Sequence, residues 1–137
     1  MRAAIGSGVN AIRDLDVNID VIEVDGVDDP ASAAEGATLA SYAFDEYKEE
    51  ALKVKRFTIN LAQTDASLVE RFEHGALLAK YQNQCRNLKE QPANMLTPTK
   101  FGEIAKKLCE PLGVKVLVHD REWAEQKKMG NFHESSS

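Results

Sequence analysis

A helical pattern that stops and restarts is the feature that most constrains this chain. The stretch "NLKEQPANMLTPTKFGEIAKK" spans Asn87 to Lys107, and its first part continues a long run with helical periodicity. Pro92 stops that run, because the residue before a proline disfavours helical backbone geometry. Thr97-Pro98 begins a second helix, since threonine is a good N-cap and proline suits the first helical position. The sequence therefore predicts two helices joined by a short turn at this point.

The rest of the chain alternates between helical and strand patterns. Helices are predicted from Arg2 to Asp14, from Pro30 to about Lys48, from about Asp65 to Glu90, from Thr97-Pro98 to Pro111, and in "REWAEQKKMG". Strands are predicted in "DVNIDVIEVD", in "KRFTINL" and in "VKVLVHD". The order α-β-α-β-α-α-β-α predicts an α/β fold with helices packed on a few strands. Three strands are few for a self-sufficient sheet, so we expect an incomplete α/β arrangement.

The long helix predicted between Asp65 and Glu90 is apolar on two sides. Its two stripes, displaced around the axis, hold Leu68, Phe72 and Ala76, and Leu77, Tyr81, Cys85 and Leu88. A helix that is apolar on two sides is usually held between two bodies. We therefore interpret it as a linker helix between domains.

Composition and charge exclude several classes of protein. The chain of 137 residues suffices for one ordinary domain, and 43% apolar with 28% charged residues is typical of a folded globular protein. A net charge of −5 argues against a nucleic-acid partner. No apolar run approaches the roughly 20 residues of a membrane span, and the N-terminus has no apolar signal-peptide core. Cys85 and Cys109 suggest no disulfide framework. We expect a cytoplasmic protein without a membrane partner.

Two short motifs imitate known sites but lack their context. Gly6-Ser7-Gly8 with Ala11 is similar to a dinucleotide-binding fingerprint, yet that fingerprint follows a strand, and only five residues precede it here. His133-Glu134 begins like a zinc-protease pair, but Ser137 stands where the second histidine is required. Neither motif predicts a site.

The remaining candidate side chains have ordinary structural interpretations. His74 lies on the long helix without a metal-ligand partner at i+3 or i+4, and His119 ends the third predicted strand beside Asp120. The acidic residues Asp25, Asp28 and Asp29 lie in a turn ahead of a helix, where carboxylates favour the helix dipole. We therefore predict no catalytic, cofactor-binding or metal-binding residue in the chain.

Three stretches carry a resemblance to the cytosolic leucine aminopeptidase family. Family members have a segment of the form N-L-x-x-x-P-A-N-x-x-T-P, and the matching residues here are Asn87, Leu88, Pro92, Ala93, Asn94, Thr97 and Pro98. Upstream, "SAAEGATLASYAFDEYK" (Ser32 to Lys48) is similar to a second family segment, and "EQKKMGNF" to a third. The resemblance runs from about residue 2 to Phe132.

The resemblance implies a division of the chain. In that family a long helix links an N-terminal α/β domain to a catalytic domain, and the "PAN-x-x-TP" segment is the elbow at the entry to the second domain. The resemblance assigns residues 1–64 to the end of the N-terminal domain, 65–91 to the linker helix and 92–132 to the start of the catalytic domain. Residues 133–137 form a divergent tail.

The resemblance implies a peptidase activity that this chain does not have by itself. Family members remove N-terminal amino acids, often leucine, from peptides with two divalent metal ions such as zinc, manganese or magnesium. Their ligands come from a lysine-and-aspartate segment and an "N-T-D-A-E-G-R" segment, and neither stands in this sequence. The resemblance thus implies a truncated leucine aminopeptidase-like protein, inactive alone and without a metal cofactor of its own.

Two alternatives remain open. The chain is a non-catalytic structural or binding subunit whose partners are full-length aminopeptidase subunits, which form hexamers in the family. Otherwise it is an independent small enzyme with an unrecognised site. Co-purification with a full-length aminopeptidase would favour the first, and chelator-insensitive peptide cleavage would favour the second.

Overall fold

Two compact units make up the chain, Met1–Glu90 and Gln91–Ser137. The structure is a computed structural model that describes residues 1–15, 18–54 and 56–129. In chain order its helices and strands are α1 (Arg2–Asp14), β1 (Val21–Val24), α2 (Pro30–Ala40), β2 (Thr58–Leu61), α3 (Ala66–Glu90), α4 (Pro98–Cys109) and α5 (Arg121–Gln126). The finer division into residues 1–64, 65–91, 92–132 and 133–137 stays a prediction, and the predicted tail lies outside the described residues.

The sheet of the first unit is a parallel pair of short strands. Val21 of β1 lies opposite Thr58 of β2, and Val24 lies opposite Leu61. Ile22 and Val24 are buried, while the alternate positions of β1 are exposed. A parallel pair needs a crossover connection, which α2 provides. The α/β arrangement with few strands and a long helix is thus confirmed, although the strands are shorter than predicted.

The third predicted strand is wrong. Residues 114–120 are described, but they belong to no helix or strand. Among the described residues the sheet contains only β1 and β2, both in the first unit. A strand exists by pairing with a neighbour, so an alternating apolar pattern without a neighbour yields only an extended segment.

The core of the first unit is built around a helix of very small residues. Ala33, Ala34 and Ala37 on α2 are completely buried. A Cβ at Gly36 of α2 would lie 2.2 Å from the carbonyl oxygen of Arg2 at the start of α1. On α3, a Cβ at Gly75 would lie 2.3 Å from the carbonyl oxygen of Ala31. Both neighbouring helices therefore approach α2 at backbone distance, which only small residues allow.

The second helix ends earlier than predicted, at Ala40 instead of about Lys48. Three polar side chains from other helices donate hydrogen bonds to its last carbonyl groups. Asn83 donates to the Thr38 carbonyl (2.9 Å) and Arg86 to that of Leu39 (3.1 Å), both from α3. Arg13 of α1 donates to the Ala40 carbonyl at 3.0 Å. The helix stops here because its open C-terminal groups are bonded by side chains distant in sequence.

The long helix α3 buries one face in the first unit. Phe72, Gly75 and Ala79 are its buried residues. Most of the second predicted stripe lies on the surface, since Leu77 is 49% and Tyr81 47% exposed, whereas Leu88 is half-buried. A second body against that stripe stays a prediction. Within the part of the chain that the structure describes, no helix is long and apolar enough to cross a bilayer.

Candidate functional site

An open groove lies in the second unit, between the first turns of α4 and the segment that leads into α5. Its volume is about 580 Å³. Pro98, Thr99, Gly102, Glu103 and Lys106 line one wall, and Val118, His119, Asp120 and Arg121 line the other. Local capping fixes both walls, because the Thr97 side chain accepts from the Lys100 amide and the Asp120 carboxylate accepts from the Trp123 amide. The predicted cap at Thr97 is confirmed.

The polar groups of the groove are largely engaged in holding its walls. The His119 ring stacks on the Trp123 ring with centroids 3.8 Å apart and planes 10° apart. Arg121 pairs with Glu125 at 2.9 Å, one turn along α5. Asp120 serves as the cap of α5. The groove therefore presents exposed side chains of both charge signs, and the contacts of these side chains stabilise its walls.

Metal-ligand geometry is absent from the described part of the chain. Nowhere in residues 1–15, 18–54 and 56–129 do three or more histidine, cysteine, aspartate or glutamate side chains converge as a metal site. His74 lies exposed on α3, and His133 and Glu134 lie outside the described residues. The free thiols Cys85 and Cys109 lie on α3 and α4. The two-metal chemistry implied by the resemblance thus has no fitting donor set among the described residues.

The glycine motif of the first helix is structural. Gly6 and Gly8 lie inside α1, with no strand before them. A Cβ at Gly6 would lie 3.3 Å from the carbonyl oxygen of Gly36, whereas Gly8 has no neighbour within 4 Å. Gly6 serves the close approach of α1 to α2, and the motif forms no phosphate-binding loop.

Two carboxylates of the acidic turn ahead of α2, those of Asp25 and Asp29, accept hydrogen bonds. The Asp25 carboxylate accepts from the Val27 amide at 3.2 Å and from the Gln63 side chain at 2.9 Å. Asp29 caps α2 by accepting from the Ser32 amide at 3.2 Å. Hydrogen bonds to Ser32 lower the pKa of the Asp29 carboxyl, and the positive charge of Arg71 adds to the effect. These contacts stabilise a turn and a helix start.

A polar cluster where α3 packs on the end of α2 was missed by the sequence analysis. The Arg86 guanidinium lies 4.2 Å from the centroid of the Tyr42 ring and donates to Asn83 at 3.0 Å. The Tyr42 hydroxyl donates to Glu90 at 3.4 Å. Burial, followed by the charge of Glu90, raises the pKa of Tyr42. Only Tyr42, within "SAAEGATLASYAFDEYK", offered a signal; its partners lie far away in sequence.

A buried carboxylate fixes the loop after α2. Asp45 is 6% exposed and accepts from the Val54 amide at 2.9 Å. The Arg56 guanidinium also donates to Asp45 and to the Ala43 carbonyl. The loop is thereby tied to the residues just before β2. These contacts organise the fold and bring no reacting groups together.

Comparisons with known proteins agree with the resemblance. Residues 83–136 match the family model described as cytosol aminopeptidase family, catalytic domain. The chain is 37% identical over 134 residues to the cytosol aminopeptidases of Mus musculus and Homo sapiens, covering 96% of this chain and 25% of each relative. It is 34% identical over 139 residues to that of Dictyostelium discoideum, covering 26% of that relative.

The matches extend along almost the whole chain but not along the whole relatives. The chain spans about a quarter of the length of the curated relatives it matches. The family model begins at Asn83, inside α3, and continues through the second unit. The resemblance found in the three sequence stretches is confirmed: the chain is similar to cytosol aminopeptidases along almost its whole length, and residues 83–136 match the catalytic domain of that family.

Proposed function

We propose that this chain is the connecting region of a cytosol aminopeptidase and does not hydrolyse peptides by itself. The observation that carries the proposal is an overlap on α3. The catalytic-domain match begins at residue 83, while Asn83 and Arg86 donate hydrogen bonds to α2 of the first unit. One continuous helix is thus part of the catalytic-domain match and of the packing of the first unit. Such a helix connects the first unit to the polypeptide that matches the catalytic domain.

The donor set supports the absence of peptidase activity in the isolated chain. A two-metal hydrolase needs several carboxylate or histidine ligands around its ions to generate a nucleophilic water. The described residues bring no such group together, and the sequence contains no "NTDAEGR" stretch. The residues that the structure describes do not fit a pair of divalent ions, so we assign no catalytic, cofactor-binding or metal-binding residue among them.

A cytoplasmic location and aminopeptidase partners belong to the same proposal. The relatives are named cytosol aminopeptidases. The surface stripe of α3, with Leu77 49% and Tyr81 47% exposed, supports association with further aminopeptidase polypeptide. That polypeptide belongs either to the same longer protein or to full-length paralogues for which this chain is a non-catalytic subunit.

Peptidase assays test the inactivity of the chain. The purified chain would be incubated with leucine p-nitroanilide and, in turn, Zn²⁺, Mn²⁺ and Mg²⁺, with mouse cytosol aminopeptidase as the positive control. We expect hydrolysis only in the control. Metal-dependent hydrolysis by the chain would contradict the proposal, and chelator-insensitive hydrolysis would support an independent small enzyme.

The mass of the native protein separates the two partner arrangements. The protein would be captured from its own cells with an antibody to residues 87–107, and its intact mass would be measured. A mass well above 15.1 kDa would place the chain within a longer aminopeptidase. A mass near 15.1 kDa would support the separate subunit, whose partners should then co-purify.

A further inference from the structure

The burial of α3 changes along its length. Its buried residues are Phe72, Gly75 and Ala79. None of residues 80–90 is buried, although α3 continues as one helix to Glu90. The first part of the helix is therefore packed in the core of the first unit, and the last three turns lie outside that core.

Polar contacts connect this last part of α3 to the end of α2. Asn83 and Arg86 donate to the carbonyl groups of residues 38 and 39, at 2.9 Å and 3.1 Å. Glu90 accepts from the Tyr42 hydroxyl at 3.4 Å. The three α3 residues have the spacing i, i+3 and i+7, so they lie on one face of the helix. We call these three residues together with Tyr42 the α3 lock.

Tyr42 is the central residue of the α3 lock. The Arg86 guanidinium lies 4.2 Å from the centroid of its ring, and its hydroxyl bonds Glu90, the last residue of α3. Tyr42 and Arg86 are both half-buried. A cation over a ring and a hydrogen bond are each weak when partly exposed to water. The lock can therefore open without breaking the buried contacts that end at Ala79.

The change from core packing to polar contacts coincides with a boundary in the family match. The match to the catalytic domain begins at residue 83, just beyond Ala79. By its contacts, however, the chain up to Glu90 belongs to the first unit. Residues 83–90 thus belong to the first unit by packing and to the catalytic domain by sequence. Opening of the lock would free the start of the catalytic-domain polypeptide while the first unit stays folded.

We propose that residues 83–90 are a releasable end of α3, which the α3 lock holds on α2 and which opens locally while the helix up to Ala79 stays packed. Segments with few buried apolar contacts open at a lower free energy than the core of a protein. The proposal rests on the proposed function, because it names the device by which the connecting region holds or releases the start of the catalytic-domain polypeptide.

Hydrogen exchange of the full chain tests local opening. The amides of residues 87–90 donate to the carbonyl groups four residues earlier, so they report on the last turns of α3. The amides of residues 76–79 report on the packed part of the same helix. We expect the amides of residues 87–90 to exchange roughly tenfold faster or more. Equal exchange of the two segments would overturn the proposal, because α3 would then open only as a whole.

Variants of Tyr42 separate the lock from the ordinary fraying of a helix end. Tyr42→Leu removes the ring and the hydroxyl, and we expect exchange at residues 87–90 to accelerate about three- to tenfold, with residues 76–79 unchanged. Tyr42→Phe keeps the ring beside Arg86 and should accelerate it about twofold, which carries the test if Tyr42→Leu does not fold. Tyr81→Leu is the matched control, since Tyr81 is 47% exposed on α3 itself, and it should leave both segments unchanged.

The remaining outcomes are also decisive. Unchanged exchange at residues 87–90 in both Tyr42 variants would overturn the proposal, because fraying would then be independent of the lock. Equal acceleration at residues 76–79 would also overturn it, since Tyr42 would then stabilise the first unit as a whole. Peptidase activity of the chain alone would contradict the proposed function but would leave the exchange result standing, so the two failures are distinguishable.

Discussion

Gly75 of α3 lies against the backbone of Ala31 in α2, so closely that a Cβ on the glycine would be 2.3 Å from the Ala31 carbonyl oxygen. A methyl group cannot occupy that position without moving one helix. The same relationship holds between Gly36 and Arg2, so α2 is in close backbone contact with α1 and α3. Helix packing in the first unit therefore depends on having glycine, which lacks a Cβ, at positions 36 and 75.

Gly75→Ala should destabilise the chain. The overpacked contact costs about 1–3 kcal/mol, and the higher helix propensity of alanine offsets at most about 1 kcal/mol of that. The free energy of unfolding would be measured by urea titration followed by circular dichroism. Gly8→Ala is the matched control, because Gly8 is a helical glycine with no neighbour within 4 Å. It should stabilise the chain by about 0.5–1 kcal/mol. A Gly75→Ala variant as stable as the parent would contradict backbone contact between α2 and α3.

Arg86→Ala should loosen the packing of α3 on α2. Arg86 donates to the Leu39 carbonyl and stacks over Tyr42, and its removal should lower the free energy of unfolding by about 1.5–3 kcal/mol. Lys89→Ala, an exposed change on the same helix, should stay within about 0.5 kcal/mol. Thermal unfolding of both variants compares them, and equal losses would argue against the contact.

Asp45→Ala should release the loop between α2 and β2. The Asp45 carboxylate accepts from the Val54 amide and from Arg56. Because Arg56 is 57% exposed, the loss should be about 1.5–3 kcal/mol, the range of charge-assisted hydrogen bonds. Asp45→Asn keeps an acceptor for the Val54 amide and should lose less. Limited proteolysis would show the loop opening, with exposed Asp28→Ala as the control. Resistance of Asp45→Ala to cleavage in this loop would contradict the assignment.

Stability should fall as the pH drops below about 4. Hydrogen bonds to Ser32 lower the pKa of the Asp29 carboxyl, and those to Ser67 and Leu68 lower the pKa of Asp65, each from a usual value of 3.8. A lowered pKa in the folded chain gives stability that is present above the unfolded value and is lost as the pH falls through the folded value. Urea midpoints between pH 7 and pH 2.5 would measure this.

The double variant Asp29→Asn with Asp65→Asn isolates these two groups. Asparagine is also a good N-cap but does not titrate in this range. The decline of the urea midpoint below pH 4 should therefore be shallower in the double variant than in the parent. Parallel declines would assign the acid sensitivity to other carboxyls.

The elements that sequence predicts well are those fixed by neighbouring residues. The start of α4 follows from Thr97-Pro98, and the start of α2 from Asp29-Pro30, because cap and helix lie within one turn. The extent of α3 follows from its long periodic run and from Pro92 beyond it. These boundaries need no knowledge of distant contacts.

The failures have non-local causes. The end of α2 depends on Asn83 and Arg86, which lie 45 and 47 residues from the carbonyls they bond. The segment "VKVLVHD" has the alternation of a strand, but among the described residues it has no neighbour with which to pair. Periodicity reports which face of a segment is apolar, and it cannot report whether a partner is present to cover it.

Residue types and spacing predict no catalytic residue in the chain, and this stays a prediction. The histidines lack metal-ligand partners at the required spacing. In the acidic turn, Asp25 and Asp29 serve as hydrogen-bond acceptors. The cluster of Tyr42, Arg86 and Glu90 could not be predicted, since it is assembled by the packing of α3 on α2.

The close contacts of α2 also have a mechanical consequence. A helix that meets its neighbours through long side chains can absorb a shift by rotamer changes, but at Gly36 and Gly75 backbone meets backbone. A displacement of α3 against α2 therefore leaves little room for side-chain adjustment between α3, α2 and α1. We therefore expect α1, α2 and α3 to shift together where they meet at Gly36 and Gly75, because these contacts contain no side chain that could absorb a displacement.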